Sequence, residues 1–298
     1  MLNTARKKTL QQIELAVSRT ISGKLRGEFR GALPGLGSEA GDTRVYNSGD
    51  DVRLIDWSAT ARAQKIYVRE IVAEHELSVI LVIEGSNSIH FGTHSTSKLE
   101  LFAAATLAFS IVVGKSKNRL GAILVSPDKI EIIPPTSKSN TSTVLFNKVS
   151  NMSPSSGKLD MVKALKVVST LEPRRCFVVI ISDLIGSEKW LEHLNSLAST
   201  HDTLVCEITD PRDLALVNVG PLSLQDCSTG KEVFINTSNK KLLKVINSEI
   251  TRKRELNYRT IKKTPADFMS LTTSEDWMKP LLDYFRQRSL RVRTGEKK

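Results

Sequence analysis

With 298 residues, of which 40% are hydrophobic and 25% charged, the chain has enough apolar surface for a sizeable core and does not have the composition of a disordered protein. Its 43 basic and 32 acidic residues leave a formal charge of +11, which favours anionic partners without choosing among nucleic acid, membrane surface and acidic protein. Three cysteines without C-x-x-C spacing argue against a disulfide framework or a zinc site, and no apolar stretch suits a signal core or a bilayer span, so a cytoplasmic setting is expected.

In chain order, Leu2, Leu10, Ile13, Leu15 and Val17 form an imperfect helical pattern over residues 2–20. A glycine-rich stretch, 23–41, follows; no Gly-Lys-Ser/Thr succeeds it and no strand precedes it, so it reads as a structural loop and not a phosphate cradle. Residues 44–62 are dense in opposite charges. Asp50, Asp51 and Asp56 are placed to pair with Arg44, Arg53 and Arg62, and Trp57 is expected to anchor the segment in apolar surroundings. With an arginine near each aspartate, neutralisation outweighs general acid-base chemistry as their role. A short strand, 66–72, leads through Glu74, His75 and Glu76 to the stretch that organises the chain.

That stretch is Leu77 to Gly92. A continuous apolar run, Val79 to Ile83, ends in a small polar loop, and an apolar helix over 97–114 follows, closing at Gly114. Parallel sheets place ligands outside the carboxyl ends of their strands, so the oxygens of Glu84, Ser86 and Ser88 are the first candidates for chemistry. Further strands are read at 120–125, 130–133, 176–182 and 204–208. The second pairs as an edge hairpin with the first, and the 176–182 strand ends in Asp183. Helices at 159–171 and 188–197 alternate with them. This alternation predicts an α/β fold, a mostly parallel sheet with helices on both faces. Cys176 and Cys206 fall in apolar runs and read as buried thiols.

The last third predicts a hairpin around Gly230, a charged helix over 239–261, a strand at 268–271 and a helix over 275–288. The basic residues near the two ends, among them Arg6, Lys7, Lys8, Arg286, Arg288, Arg291 and Arg293, read as solvated termini.

Three features taken together resemble the domain of unknown function 58 family: Glu84-Gly-Ser-Asn-Ser88, Ile181-Ser-Asp183, and Tyr46-Asn-Ser-Gly-Asp-Asp-Val-Arg-Leu-Ile-Asp-Trp57 with Arg62. Thr209-Asp-Pro-Arg212 and the closing Trp277 to Arg288 extend the likeness over roughly residues 20–290. The resemblance implies a Rossmann-like von Willebrand factor type A domain over 77–290, preceded by a family-specific segment over 1–76 and followed by a basic tail, 291–298.

It also implies a metal-ion-dependent adhesion site, in which Asp-x-Ser-x-Ser, a threonine and a late aspartate hold magnesium. Here Ser86, Ser88 and Asp183 match, Glu84 replaces the leading aspartate, and Leu159 stands where the threonine is expected. Hard oxygen ligands suit magnesium, but the lost hydroxyl and the longer acid predict a weakened or vestigial site. The alternative role for Ser86 and Ser88 is capping of the following turn, with Asp183 accepting from one of them.

Function follows the same resemblance: a non-catalytic adaptor for a MoxR-type AAA ATPase, with the oxygen rim as docking surface. None of the five histidines sits in a recognisable triad, and there is no Walker motif. The alternative is a metal-assisted hydrolase using Glu84, His90 and Asp183. Nucleic-acid binding is disfavoured because only 5% of the residues are aromatic.

Overall fold

The computed structural model describes residues 43–47, 50–63, 65–69, 77–94, 96–115, 118–186, 188–226 and 229–294, with positions 15 and 19. The expected helix over 2–20 (those two positions apart), the glycine-rich loop, the basic residues 6–8, the connection 74–76 and residues 295–298 lie outside them.

A small antiparallel pair comes first, β1 (Thr43–Val45) with β2 (Tyr67–Arg69), joined through a 3-10 turn (Val52–Leu54) and α1 (Trp57–Ala63). The aspartates of this segment serve as backbone caps. Asp51 accepts from the Arg53 amide at 2.9 Å, and Asp56 accepts from the Ser58 and Ala59 amides at 3.0 and 3.1 Å. Asp50 accepts from the Asn47 amide at 2.8 Å, while the Arg62 guanidinium donates to the Ser58 carbonyl at 3.1 Å. Trp57 differs from expectation: as the first residue of α1 it points outward and is 72% exposed.

The body is a six-stranded sheet in the order β10-β7-β6-β3-β4-β5, formed by β3 (Ser78–Glu84), β4 (Arg119–Val125), β5 (Ile130–Thr136), β6 (Phe177–Ser182), β7 (Asp202–Thr209) and β10 (Asp267–Thr272). All neighbours are parallel except β4 and β5, so β5 is the antiparallel edge expected from the hairpin pattern. Pro134 and Pro135 sit on that edge, where lost donors cost no ladder bonds. The ladder bulges between Leu120 and Ala122, and a Cβ at Gly121 would meet the Ile133 carbonyl at 2.9 Å, so the close approach requires glycine there.

Both faces are covered, and strand alternation divides the core in two. Val79, Leu81, Ile83, Val179 and Ile181 face α2 (Lys98–Lys115), α3 (Thr141–Ser150) and α8 (Met278–Thr294); Ile80, Val82, Val178, Ile180 and Val205 face α4 (Met161–Leu171), α5 (Glu188–Thr200) and α7 (Lys240–Lys262). Helix α2 is buried nearly all round, because α3 and α8 cover the side turned away from the sheet. Phe109 meets Phe285 edge-on there at 5.4 Å between centroids. Gly114 does not end α2, which runs one residue further. A short α6 (Pro211–Leu214) follows β7, and β8 (Pro221–Gln225) with β9 (Glu232–Asn236) form the expected hairpin.

Arg288 does not belong to a solvated terminus. It is 6% exposed on α8, donates to Asp202 at 2.6 Å and stacks over Phe177 at 4.0 Å. Arg291 forms a two-pronged bond with Asp267. Packing of α8 against the sheet edge brings Arg288 there, and its continuation past the expected end at 288 brings Arg291. No helix among the described residues is long and apolar enough to cross a membrane.

Candidate functional site

The polar loops at the carboxyl ends of β3, β6 and β7 converge on one cluster. Strand β3 runs to Glu84, and Gly85 then passes so close beneath its neighbours that an added Cβ would meet the Val125 carbonyl at 3.0 Å and Met152 Sδ at 3.3 Å. The chain turns into a 3-10 helix, Asn87–His90. From β6 comes Asp183, followed by Leu184 at φ 57, a left-handed conformation that a branched side chain rarely adopts. That turn is held by the Leu184 amide donating to Ser182 Oγ at 2.9 Å and by Asn257 Nδ2 donating to the Leu184 carbonyl at 3.2 Å.

The structure brings Ser86, Ser88 and Asp183 together. Ser86 Oγ and Ser88 Oγ lie 2.7 Å apart, and Ser88 donates to Asp183 Oδ2 at 2.5 Å. Asp183 Oδ1 accepts from the Ile185 amide at 3.0 Å. Ser86 occupies the cap position of the 3-10 turn but makes no side-chain cap bond, so the capping role expected for it is replaced by the serine-serine contact. Glu84 is sealed within the same cluster: Ser182 Oγ donates to its Oε2, Ser86 is hydrogen-bonded to it as well, and the residue is 3% exposed.

Burial, reinforced by the nearby Asp183 charge, pushes the Glu84 carboxyl up to about 8, against the opposing hydrogen bonds from Ser182 and Ser86 and the charge of Lys98.

The residue that sequence reasoning missed is Lys98. It is the first residue of α2, fully buried, with Nζ 2.9 Å from Asp183 Oδ2 and 2.9 Å from Asp213 Oδ2. Burial pulls the ammonium toward its neutral form, but Asp183 and Asp213 outweigh it and hold its pKa above the ordinary lysine value. Asp213 is less firmly ionised, since burial raises its pKa while Lys98 opposes. A readable signal existed: Ser97-x-x-Glu100 is a capping box. The Ser97 amide donates to Glu100 at 2.8 Å and the Glu100 amide to Ser97 Oγ at 3.3 Å, fixing the helix start and with it the inward aim of Lys98.

A second knot lies beside it. Asp210 is fully buried at the end of β7 and accepts from the Thr93 amide and hydroxyl at 2.9 and 2.6 Å, the Arg212 amide at 3.0 Å and the Thr273 hydroxyl at 2.7 Å. Burial alone would raise its pKa; these hydrogen bonds overcome that and bring it to about 2. Its folded value lies below the ordinary 3.8, so its contribution is present above pH 3.8 and lost as pH falls through about 2. Asp210→Asn is expected to cost about 2 kcal/mol at pH 7 and to remove that acid-linked loss, read by urea unfolding between pH 2 and 7.

The sealed geometry corrects one expectation. Asp183 and Lys98 have no exposed side-chain surface and Ser88 is 6% exposed, so most of the expected open rim is sealed and Ser86, half-buried, reaches the surface. Among the described residues, no group of three or more His, Cys, Asp or Glu side chains is placed to hold a metal. Asp160 caps α4 by accepting from the Lys163 amide at 2.9 Å, and His90 is half-buried at the end of the 3-10 turn.

Residues 42–256 match the family described as a protein of unknown function, DUF58. The chain belongs to the DUF58 family. Relatives of this DUF58 chain include an uncharacterized protein of Mycobacterium tuberculosis, 33% identical over 287 residues that cover 94% of this chain and 88% of the relative. An uncharacterized Mycobacterium avium protein is 31% identical over 131 residues, 43% of this chain and 76% of its own. Among solved structures, the DUF58 chain is similar to the conserved hypothetical protein BatB from Bacteroides thetaiotaomicron, at 15% identity and TM-score 0.43 over 73% of this chain and 99% of that one. It is also similar to the SpRpn10 VWA domain, at 11% identity and TM-score 0.39 over 70% and 95% of the two chains. The DUF58 chain has a mostly parallel six-stranded sheet covered by helices on both faces.

Proposed function

We propose that this chain is a non-catalytic protein-interaction module, the adaptor of a MoxR-type AAA ATPase, and that its docking face is formed by the loops around the sealed cluster. One observation carries the reading: the reactive groups point inward and are saturated, while apolar side chains on the same loops point out. Phe91, just after the 3-10 turn, is 44% exposed, and Ile185, two residues beyond Asp183, is 51% exposed. Exposed apolar side chains held on rigid loops are the material of interface hot spots. A formal charge of +11 favours an acidic docking face on the partner.

The hydrolase alternative needs a base that takes a proton from water. Glu84 is 3% exposed and accepts from Ser182, and both oxygens of Asp183 already accept hydrogen bonds, so of the three named groups His90 is the half-buried one. The test is binding of the full chain to a purified MoxR-type AAA ATPase from the same organism. Phe91→Ala with Ile185→Ala is expected to weaken binding by about tenfold or more, with an unchanged thermal midpoint. Unaltered binding would remove this face from the proposal, and steady turnover of an ester, phosphate or peptide that is lost in Glu84→Gln would replace the non-catalytic reading.

A further inference from the structure

We propose that the Lys98 ammonium is the resident cation of this site, standing where the family resemblance implies a divalent ion and making the cluster independent of metal. The oxygens assigned to such an ion are already engaged. Asp183 Oδ2 accepts from Ser88 Oγ at 2.5 Å and from Lys98 Nζ at 2.9 Å, and Oδ1 accepts from the Ile185 amide at 3.0 Å. Ser88 spends its proton on the aspartate, Ser86 is bonded to Ser88, and Glu84 accepts from Ser182.

Magnesium demands near-octahedral oxygen coordination and keeps several waters, whereas Asp183 has no exposed side-chain surface to admit them. An ion brought to Oδ2 would have to displace the ammonium or lie beside a like charge in a poorly screened interior.

Two further features make Lys98 more than an incidental neighbour. Lysine is almost never fully buried unless paired, and here one ammonium is shared by two carboxylates, Asp183 and Asp213, at 2.9 Å each. It also stands at the first position of α2, where the helix dipole disfavours a cation. A charge placed against a local preference and sealed from water is held there by its partners. Asp213, on α6, lies outside the ligand set that the resemblance implies, so the second carboxylate belongs to the ammonium's own arrangement. The charge that ties β3, β6 and the segment after β7 together is thus covalently part of the chain, and it cannot be removed by a chelator.

The experiment is isothermal titration of the full chain with magnesium chloride and manganese chloride, and it needs no partner, so its outcome is separate from that of the adaptor reading. Wild type is expected to give no saturable heat up to millimolar metal and no shift of its thermal midpoint. Lys98→Ala, which vacates the ammonium position and leaves the carboxylates and serines in place, is expected to gain one manganese with affinity at least about tenfold above wild type. Its midpoint should rise with manganese, and the added change Ser88→Ala should abolish the gain. One-to-one uptake of magnesium or manganese by wild type, lost in Asp183→Asn, would overturn the proposal. So would a folded Lys98→Ala that takes up no metal. If Lys98→Ala does not fold, the wild-type titration decides: saturable uptake overturns the proposal and its absence supports it.

Discussion

Asp183→Ala is expected to lower the unfolding free energy by about 3–5 kcal/mol, because removing one partner of a buried ion pair leaves the other charge poorly compensated. The side chain lost here receives three described hydrogen bonds. Lys98 would keep only Asp213, the Ser88 hydroxyl would lose its 2.5 Å acceptor, and the Ile185 amide would lose the bond that helps set the left-handed turn at Leu184. Strain at a branched residue with positive φ persists only while its surroundings over-determine it, so the loop after β6 is expected to loosen together with the ion pair. The measurement is urea unfolding at pH 7 of four proteins: wild type, Asp183→Ala, Lys98→Met and the double variant. Coupling predicts that the double variant loses less than the two single variants combined, by about 0.5–3 kcal/mol. Strict additivity, or a loss below about 1 kcal/mol in Asp183→Ala, would show that the cluster does not hold these elements together.

The second large effect is a pH dependence carried by Glu84. In the folded chain its carboxyl holds a proton up to about 8, while the ordinary value is 4.5. Between these two values the unfolded chain releases the proton and the folded chain keeps it, so stability falls as pH rises, by up to about 1.4 kcal/mol per unit. Below the ordinary value both states are protonated, above about 8 both are ionised, and in neither range does this group contribute a slope. Glu84→Gln preserves the shape and an acceptor for Ser182 but cannot ionise. It is expected to match wild type near pH 5 and to be clearly more stable at pH 8, with a flattened profile between them in urea unfolding. An unchanged slope would mean that Glu84 ionises freely in the folded chain, and burial could not then be the force acting on it.

The same two residues show where sequence reasoning holds and where it stops. Glu84 was legible as the first polar residue after a buried run, because Val79 to Ile83 is a stretch that only a two-sided sheet can bury; it is in fact the last residue of the strand. Its chemistry was not legible, since its burial against Ser182 is a contact between distant segments. For Asp183 the resemblance implies a metal ligand and the residues offer, as the alternative, an acceptor for one of the serines; Ser88 makes that second contact. The segment 44–62 reads as charge pairing around an anchored tryptophan. In the structure its aspartates also cap local turns, because a carboxylate two or three residues from an amide meets it with little loop closure, and Trp57 lies outward.

By itself, then, the sequence determined the strand and helix alternation, the antiparallel edge, the buried thiols of Cys176 and Cys206 and the loops that crown the sheet. These follow from short-range rules: period-two burial, helix starts and stops, turn chemistry. Only the tertiary structure decided that Lys98 enters the site, that Asp213 shares its charge, and that Asp210 gathers Thr93 and Thr273 from distant loops. Lys98 and Asp183 are 85 residues apart, and Thr93 and Asp210 are 117 apart. No periodicity records such pairings. A lysine at the start of a helix satisfies every local pattern of a solvated residue, and it is the packing of α2 against a sheet that closes above it which leaves the ammonium no partner but the carboxylates.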